Sequence, residues 1–219
     1  DAWYLRGISH QVLQEHGDAL ENLAAAIEKG ADRAEVWLAR GVSLEALGRW
    51  DEAAGAYRKA TRLQPDLWTA WHRLAVMDEA MGKTGEALEA LGRALEISGE
   101  DPEVWCLHGR ALIRLGRAGE ARDSLIRALE RHPDDSRLWY LRGLSEESLE
   151  RSGDAASSFG QAVEKDPSHS GAWHHLGMAR RGEGDHEGAI AAFDRGLALD
   201  RSDAAGSYLK GLSEHTLGH

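Results

Sequence analysis

Cysteine is almost missing from this sequence, since Cys106 is the only one among 219 residues. A single thiol excludes an internal disulfide framework and any zinc site built from several cysteines, and it favours a reducing compartment such as the cytoplasm. Positive charge is also scarce, because 26 lysines and arginines stand against 37 aspartates and glutamates, a formal net charge of −11. That balance argues against a protein that tracks nucleic-acid phosphates.

Long apolar runs are missing as well. The longest stretch without Asp, Glu, Lys or Arg runs from Pro167 to Ala179, which is too short and too polar to span a bilayer. No apolar signal segment stands at the start, so we expect no membrane insertion. The first residue is Asp1 rather than Met, and we expect the chain to be a piece of a longer protein; the alternative is a complete chain with a terminal cap.

Tryptophan, in contrast, recurs with a period of 34 residues and without insertions. The series is Trp3, Trp37, Trp71, Trp105, Trp139 and Trp173. Four residues after each Trp comes a small residue, in the series Gly7, Gly41, Ala75, Gly109, Gly143 and Gly177. Later in each period an alanine, a bulky apolar residue and a second small residue follow at i, i+4 and i+7, as in Ala155, Phe159 and Ala162. Each of these spacings keeps to one helix face, so every period predicts two antiparallel helices that pack closely at the small residues.

The boundaries between these helices carry their own signals. Glycine marks the turn inside a repeat at Gly48, Gly82, Gly116 and Gly184. Proline ends the second helix at Pro65, Pro133 and Pro167. Asp101-Pro102-Glu103 predicts an N-cap followed by proline in the first helical position.

These residues resemble the tetratricopeptide repeat family, whose pattern has Trp, Gly at +4, Ala at +16, an aromatic residue or Leu at +20, Ala at +23 and Pro at +28. The resemblance implies an all-α fold, a right-handed α-solenoid superhelix of six and a half 34-residue helix-turn-helix repeats. Since no linker interrupts the period, we expect one domain over 1–219, with repeats at about 1–33, 34–67, 68–101, 102–135, 136–169 and 170–203 and a half repeat at 204–219. Three charged residues stand where the family usually has a packed aromatic, and we expect them to weaken helix contacts: Asp78, Glu146 and Arg180.

No motif in the sequence predicts catalysis. Gly82-Lys83-Thr84 is similar to the end of a phosphate loop but lacks the glycine five residues earlier. Cys106 has no base fixed by spacing, and the pair Glu146-Glu147 fits a solvated helix face better than an acid/base couple. No i, i+4 pair exists among four histidines of the sixth repeat, His169, His174, His175 and His186. We therefore expect no enzyme activity, no cofactor and no metal site.

In the family the first helices line a concave groove, and the resemblance transfers this to positions counted from each Trp. The groove is then acidic at its start and basic further on, through Arg110, Arg114, Arg137 and Arg181, unless the charges vary by drift. The fifth residue after each Trp is mostly aliphatic, which indicates either an exposed apolar stripe or packing between adjacent first helices. The candidate groove residues are Tyr4, Ile8, Val42, His72, Val76, Arg110, Arg114, Arg137, Tyr140, Leu144, His174, Met178 and Arg181.

The pattern thus favours a non-enzymatic scaffold or adaptor that binds a peptide or protein partner in the groove. One alternative is a scaffold that self-associates head to tail through exposed ends of the solenoid. Another is the regulatory interaction arm of a larger multidomain protein. An RNA-binding helical repeat is disfavoured, because its period is usually 35 and its surface should be basic.

Overall fold

The computed structural model describes residues 1–218; position 219, the last of the expected half repeat, lies outside them. Within this range the chain forms helices joined by short turns, without a strand. The helices are α1 (Ala2–Val12), α2 (His16–Glu28), α3 (Ala34–Ala46), α4 (Trp50–Leu63), α5 (Trp68–Ala80), α6 (Thr84–Ile97), α7 (Pro102–Arg114), α8 (Ala118–Arg131), α9 (Ser136–Ser148), α10 (Ser152–Lys165), α11 (Ser170–Gly182), α12 (His186–Leu199) and α13 (Ala204–Leu217). The all-α prediction is confirmed. None of these helices combines the length and the apolar character that a membrane crossing requires.

The helices divide into two compact units. The first unit, Asp1–Gly99, holds α1 to α6, and the second unit, from Glu100 onward, holds α7 to α13. In the first unit α1 packs on α2, α3 on α4 and α5 on α6, and in the second α7 packs on α8, α9 on α10 and α11 on α12. The helix pairs predicted from the spacing are therefore present. The assignment of residues 1–219 to one domain stays a prediction.

The small residue after each Trp lies where the two helices of a pair meet. In the second unit, a Cβ built on Gly143 of α9 would stand 2.5 to 2.8 Å from ring carbons of Phe159 on α10. Gly177 meets Phe193 in the same way, and Gly41 meets Tyr57 in the first unit. Because no side chain fits between backbone and ring, the helices approach at a distance that only glycine allows beside an aromatic residue.

The recurring tryptophans make a second kind of contact. The indole Nε1 of Trp139 donates a hydrogen bond to the carbonyl oxygen of Pro133 at 2.8 Å, and Trp173 does the same to Pro167 at 2.9 Å. In the first unit Trp71 donates to the carbonyl of Pro65 at 2.9 Å. An indole needs a partner for its N–H when it packs into a structure, and the end of the preceding helix supplies it. In these three repeats the bond ties the first helix to the turn that precedes it.

Two charged residues that we expected to weaken helix contacts are buried and paired. Asp78 on α5 is 1% exposed and accepts a hydrogen bond from Nη2 of Arg58 on α4 at 2.8 Å. Glu146 on α9 is fully buried, so the expectation that it faces solvent is wrong. A buried carboxylate is tolerated only with partners. Glu146 has them in Arg142 at 2.8 Å and the Ser158 hydroxyl at 2.6 Å.

Candidate functional site

In the second unit, a cavity of about 340 Å³ opens between α7 and α9. We call it the α7–α9 cavity. Its walls are Glu103, Cys106, Arg110, Ile113, Arg114, Arg137, Tyr140, Leu141, Leu144 and His169. Five of the candidate groove residues therefore meet at one place: Arg110, Arg114, Arg137, Tyr140 and Leu144.

The starts of the helices place these side chains. Asp101 caps α7 by accepting a hydrogen bond from the backbone N–H of Glu103 at 2.9 Å, as its sequence predicts. Asp135 caps α9 in the same way, through the N–H of Arg137 at 2.9 Å. His169 caps α11 by accepting from the N–H of Ala172 at 3.0 Å. The caps fix where each first helix begins, so residues 34 apart occupy matching places in the cavity wall.

The floor of the cavity is aromatic and aliphatic. The ring of Tyr140 lies 4.5 Å from that of His169 and 5.8 Å from that of Phe159, between centroids. Burial raises the pKa of the Tyr140 hydroxyl, which is therefore neutral at physiological pH. Leu144 packs against the core formed by α10 to α12 and is half-buried. The floor thus offers a fixed apolar surface to a ligand.

The charge of Arg137 is neutralised by carboxylates of the second unit. Its Nη1 donates to Glu103 at 2.6 Å, while its Nε and Nη2 donate to the two oxygens of Asp135 at 3.1 and 2.7 Å. The bond with Asp135 raises the pKa of the guanidinium further above its usual value. Burial alone would raise the pKa of Asp135, but the Arg137 hydrogen bonds outweigh it and hold that pKa below its ordinary value. Arg137 therefore shapes the wall, and its charge is largely compensated.

Arg110 differs from Arg137 in having its charge available. It is exposed on α7, and within residues 1–218 it has no hydrogen-bond or ion-pair partner. Arg114 follows one turn later on the same face, also exposed. The α7–α9 cavity consequently combines an apolar floor with an uncompensated positive charge on its rim.

Cys106 lies in the cavity wall, but its thiol is unreactive. The side chain is 8% exposed, and burial raises the pKa of its thiol to about 12. At neutral pH the sulfur therefore keeps its proton, and the thiolate that a nucleophile needs is almost absent.

Other candidates in the second unit lie outside this cavity. His174 on α11 is half-buried, and its Nδ1 lies 2.6 Å from Oδ2 of Asp203, so it ties α11 to the start of α13. Met178 is 37% exposed and Arg181 is exposed, both on α11.

The candidates of the first unit mostly contribute to its packing. Tyr4 and Ile8 on α1 pack against the buried core residues Leu23 and Val36. His72 stacks on Trp68 with ring centroids 6.2 Å apart. Two other members of the aliphatic row in this unit, Val42 and Val76, are half-buried. For Ile8 and Leu144 the packing alternative is thus favoured over an exposed stripe.

The negative charge that the sequence predicts at the start of the groove is also partly neutralised. Glu45 accepts hydrogen bonds from the Tyr57 hydroxyl at 2.6 Å and from Nη1 of Arg73 at 3.0 Å. Asp1 accepts from Nη2 of Arg33 at 2.7 Å. Counting charges along a sequence misses such pairs, because their members come from different helices.

Five wall residues are not among the candidates: Glu103, Cys106, Ile113, Leu141 and His169. For two of them a signal existed. Cys106, Arg110 and Ile113 stand at i, i+4 and i+7, which places them on one face of a helix. His169 precedes its helix and carries no periodic signal.

Comparison with protein families identifies the repeat. Models described as tetratricopeptide repeat match residues 4–67, 79–144, 143–205 and 175–218. Together these ranges span most of the chain. A comparison with curated proteins gives no match.

Solved structures agree with that assignment. YrrB, a TPR protein with an unusual peptide-binding site, is 21% identical with a TM-score of 0.76 over 86% of this chain and 97% of its own. The C-terminal part of a TPR repeat-containing protein from Cytophaga hutchinsonii is 15% identical with a TM-score of 0.78 over 94% of this chain and 86% of its own. MamA from Desulfovibrio magneticus RS-1 is 20% identical with a TM-score of 0.71 over 79% of this chain and 98% of its own. At these identities the likeness shows the fold.

Proposed function

Because the chain belongs to the tetratricopeptide repeat family, we propose that it is a non-enzymatic scaffold whose second unit binds an acidic peptide segment of a protein partner. The family in general serves protein–protein interaction, and its members are typically not enzymes. The observation that carries the proposal is Arg110, an exposed and unpaired cation on the rim of the apolar α7–α9 cavity.

The cavity suits one class of ligand. Its volume of about 340 Å³ accommodates a bulky apolar side chain, which would rest on Tyr140 and Leu144. Carboxylates on either side of that anchor would meet the guanidinium groups of Arg110 and Arg114, and arginine binds carboxylates with two parallel hydrogen bonds. The expected ligand is therefore an extended segment with one large apolar residue between acidic ones.

Two further features support a binding role over other functions. The Cys106 thiol in the cavity stays protonated, so it is a poor nucleophile. The net charge of −11 disfavours nucleic acid as the ligand.

The proposal is tested by reversing the charge of the two rim arginines and measuring peptide binding. An array of ten-residue peptides, each with a central Leu, Phe or Trp and flanking Glu, Gln or Lys, first identifies binders, whose affinity is then measured by fluorescence anisotropy. Reversing two charges with Arg110→Glu/Arg114→Glu should weaken the Glu-flanked peptides by at least about tenfold, or about 1.4 kcal/mol. Helix content by circular dichroism should not change.

A matched control is Arg195→Glu, the same charge reversal at an exposed position of α12 away from the cavity. The Arg195→Glu variant should bind the Glu-flanked peptides as tightly as the original chain. The single variant Arg110→Glu should bind them more weakly. The proposal would be refuted if the affinity for the Glu-flanked peptides were unchanged by both arginine substitutions, or if no peptide in the array bound.

Self-association is a second candidate, favoured by exposed apolar side chains on α1, at its C-cap and on α13. Leu5, Val12 and Leu13 are 62%, 78% and 65% exposed, and Tyr208 is 66% exposed. If these faces bind other copies, light scattering should show a mass that grows with concentration, and Val12→Glu should abolish the growth. A constant monomer mass at millimolar concentration would exclude this candidate.

A further inference from the structure

Three potential metal ligands meet at the turn between α1 and α2. They are His10 in the last turn of α1, Glu15 immediately before α2, and Asp18 in the first turn of α2. One ligand atom from each lies within 4.8 Å of the others. His10 Nδ1 and Glu15 Oε2 are 2.7 Å apart, and all three side chains are at least partly accessible. A search for histidine pairs misses this group, because its members come from both sides of a turn.

The same turn contains a cation in the second to fifth repeats, whereas the sixth repeat has Asp185 and Gly188 at the two matching positions. Glu15 occupies the place of four basic residues, Arg49, Lys83, Arg117 and Arg151, and Asp18 that of an acidic one. In the structure Arg49 pairs with Glu52 and Arg117 with Glu120, each with an N···O distance of 2.7 Å, and Arg151 lies 3.6 Å from Asp154. The first repeat keeps the carboxylate but has replaced the cation with a second carboxylate. Two negative groups thus stand where the second, fourth and fifth repeats hold an ion pair.

Asn22 provides an independent observation at this place. It is 9% exposed, and its Nδ2 donates to the backbone oxygen of Asp18 at 2.7 Å. Its Oδ1 is buried without a hydrogen-bond partner among the described residues. A buried acceptor without a partner is rare in native proteins and calls for an explanation. Asn22 lines one cavity of about 480 Å³ with His10 and Asp18.

We propose that the turn between α1 and α2 binds a divalent transition-metal ion of the Zn²⁺ type through His10, Glu15 and Asp18, with the Asn22 amide oxygen beside it. The ion would supply the positive charge that arginine supplies in the second, fourth and fifth repeats. The imidazole favours a transition metal over Mg²⁺ or Ca²⁺, and three protein ligands leave room for water or a further oxygen donor. Glu21 in the cavity wall adds a negative charge that offsets the positive charge of Arg6 in the same wall.

Binding should stabilise the first helix pair, because the ligands come from both of its helices. With the full chain free of any histidine tag, calorimetric titration with ZnCl₂ should show one tight site, and Zn²⁺ should raise the melting temperature. A tenfold excess of Mg²⁺ should not displace the ion. Replacing a ligand by Asp18→Asn or by His10→Leu, the residue found at the matching positions Leu44 and Leu112, should weaken Zn²⁺ binding more than about tenfold.

Glu15→Arg is the decisive variant, since it creates the ion pair that the second, fourth and fifth repeats have at this turn. It should fold, be at least as stable as the metal-free original chain, and lose the response to Zn²⁺. His132→Ala, which removes a histidine of the second unit, should retain the response. Zn²⁺ affinity that is unchanged by Glu15→Arg and His10→Leu, or no binding of Zn²⁺, Co²⁺ or Ni²⁺ at 100-micromolar concentration, would overturn the proposal.

Discussion

Replacing Phe159 by alanine is expected to lower the free energy of unfolding by about 3–5 kcal/mol. The ring is fully buried in the core formed by α10 to α12, in contact with Gly143 on one side and with the His175 ring at 5.2 Å between centroids on another. Its removal leaves a cavity that two helices held at a fixed distance cannot close. Urea unfolding followed by circular dichroism measures the loss.

The opposite change, Gly143→Ala, should destabilise by about 1–3 kcal/mol, because the new methyl group would overlap the Phe159 ring. The chain offers its own control: the third repeat has Ala75 where the fifth has Gly143, and Leu91 where the fifth has Phe159. The double variant Gly143→Ala/Phe159→Leu copies that pair and should recover much of the loss. Coupling of at least about 1 kcal/mol in the double-mutant cycle is expected, whereas additive effects would contradict direct contact.

The second large effect concerns Arg58. Replacing it with methionine removes the hydrogen-bonded partner of the buried Asp78 carboxylate and should cost about 3 kcal/mol, the lower end of the range for buried pairs, because Arg58 itself is 40% exposed. Arg62→Met, an exposed position of the same helix, serves as the control and should have little effect. Adding Asp78→Leu to the Arg58 variant should restore stability, since Leu44 and Leu112 are buried at the matching positions.

The ionisation of Asp78 should also make the free energy of unfolding depend on pH. Burial raises the pKa of its carboxyl, and this outweighs the opposing effect of Arg58. The folded state therefore holds the proton more tightly than the unfolded state, and stability falls as pH rises through the raised pKa. Relative to Asp78→Asn, the original chain should lose stability from about pH 4 upward. A difference between the two chains that does not vary with pH would show that Asp78 titrates normally.

The helix pairs could be predicted from the sequence because their contacts are local and repeated. Gly143 and Phe159 lie 16 residues apart, like Gly41 and Tyr57, so one spacing encodes one contact. Glu146 was misplaced for the opposite reason. Arg142 lies four residues earlier on the same helix, but the partners Arg122 and Ser158 lie on α8 and α10, and no repeat spacing indicates these two.

The candidate site could be predicted only in part. The resemblance placed Arg110, Arg114, Arg137, Tyr140 and Leu144 on first helices, and the structure brings them to one cavity. Which arginine is available could not be predicted, because Arg137 is neutralised by Asp135 and Glu103 through side-chain geometry that charge counting ignores. The binding role of these residues stays a prediction.

The buried pair of Arg58 and Asp78 also constrains how such a chain can evolve. Arg58 belongs to the second repeat and Asp78 to the third, so the buried carboxylate takes its hydrogen-bonded cation from the neighbouring repeat. A gene rearrangement that moved the third repeat behind a neighbour without the arginine would bury a carboxylate without its cation. Duplication or shuffling of whole repeats, otherwise an easy route to longer arrays, is therefore penalised at this junction, and the order of the second and third repeats is fixed by chemistry.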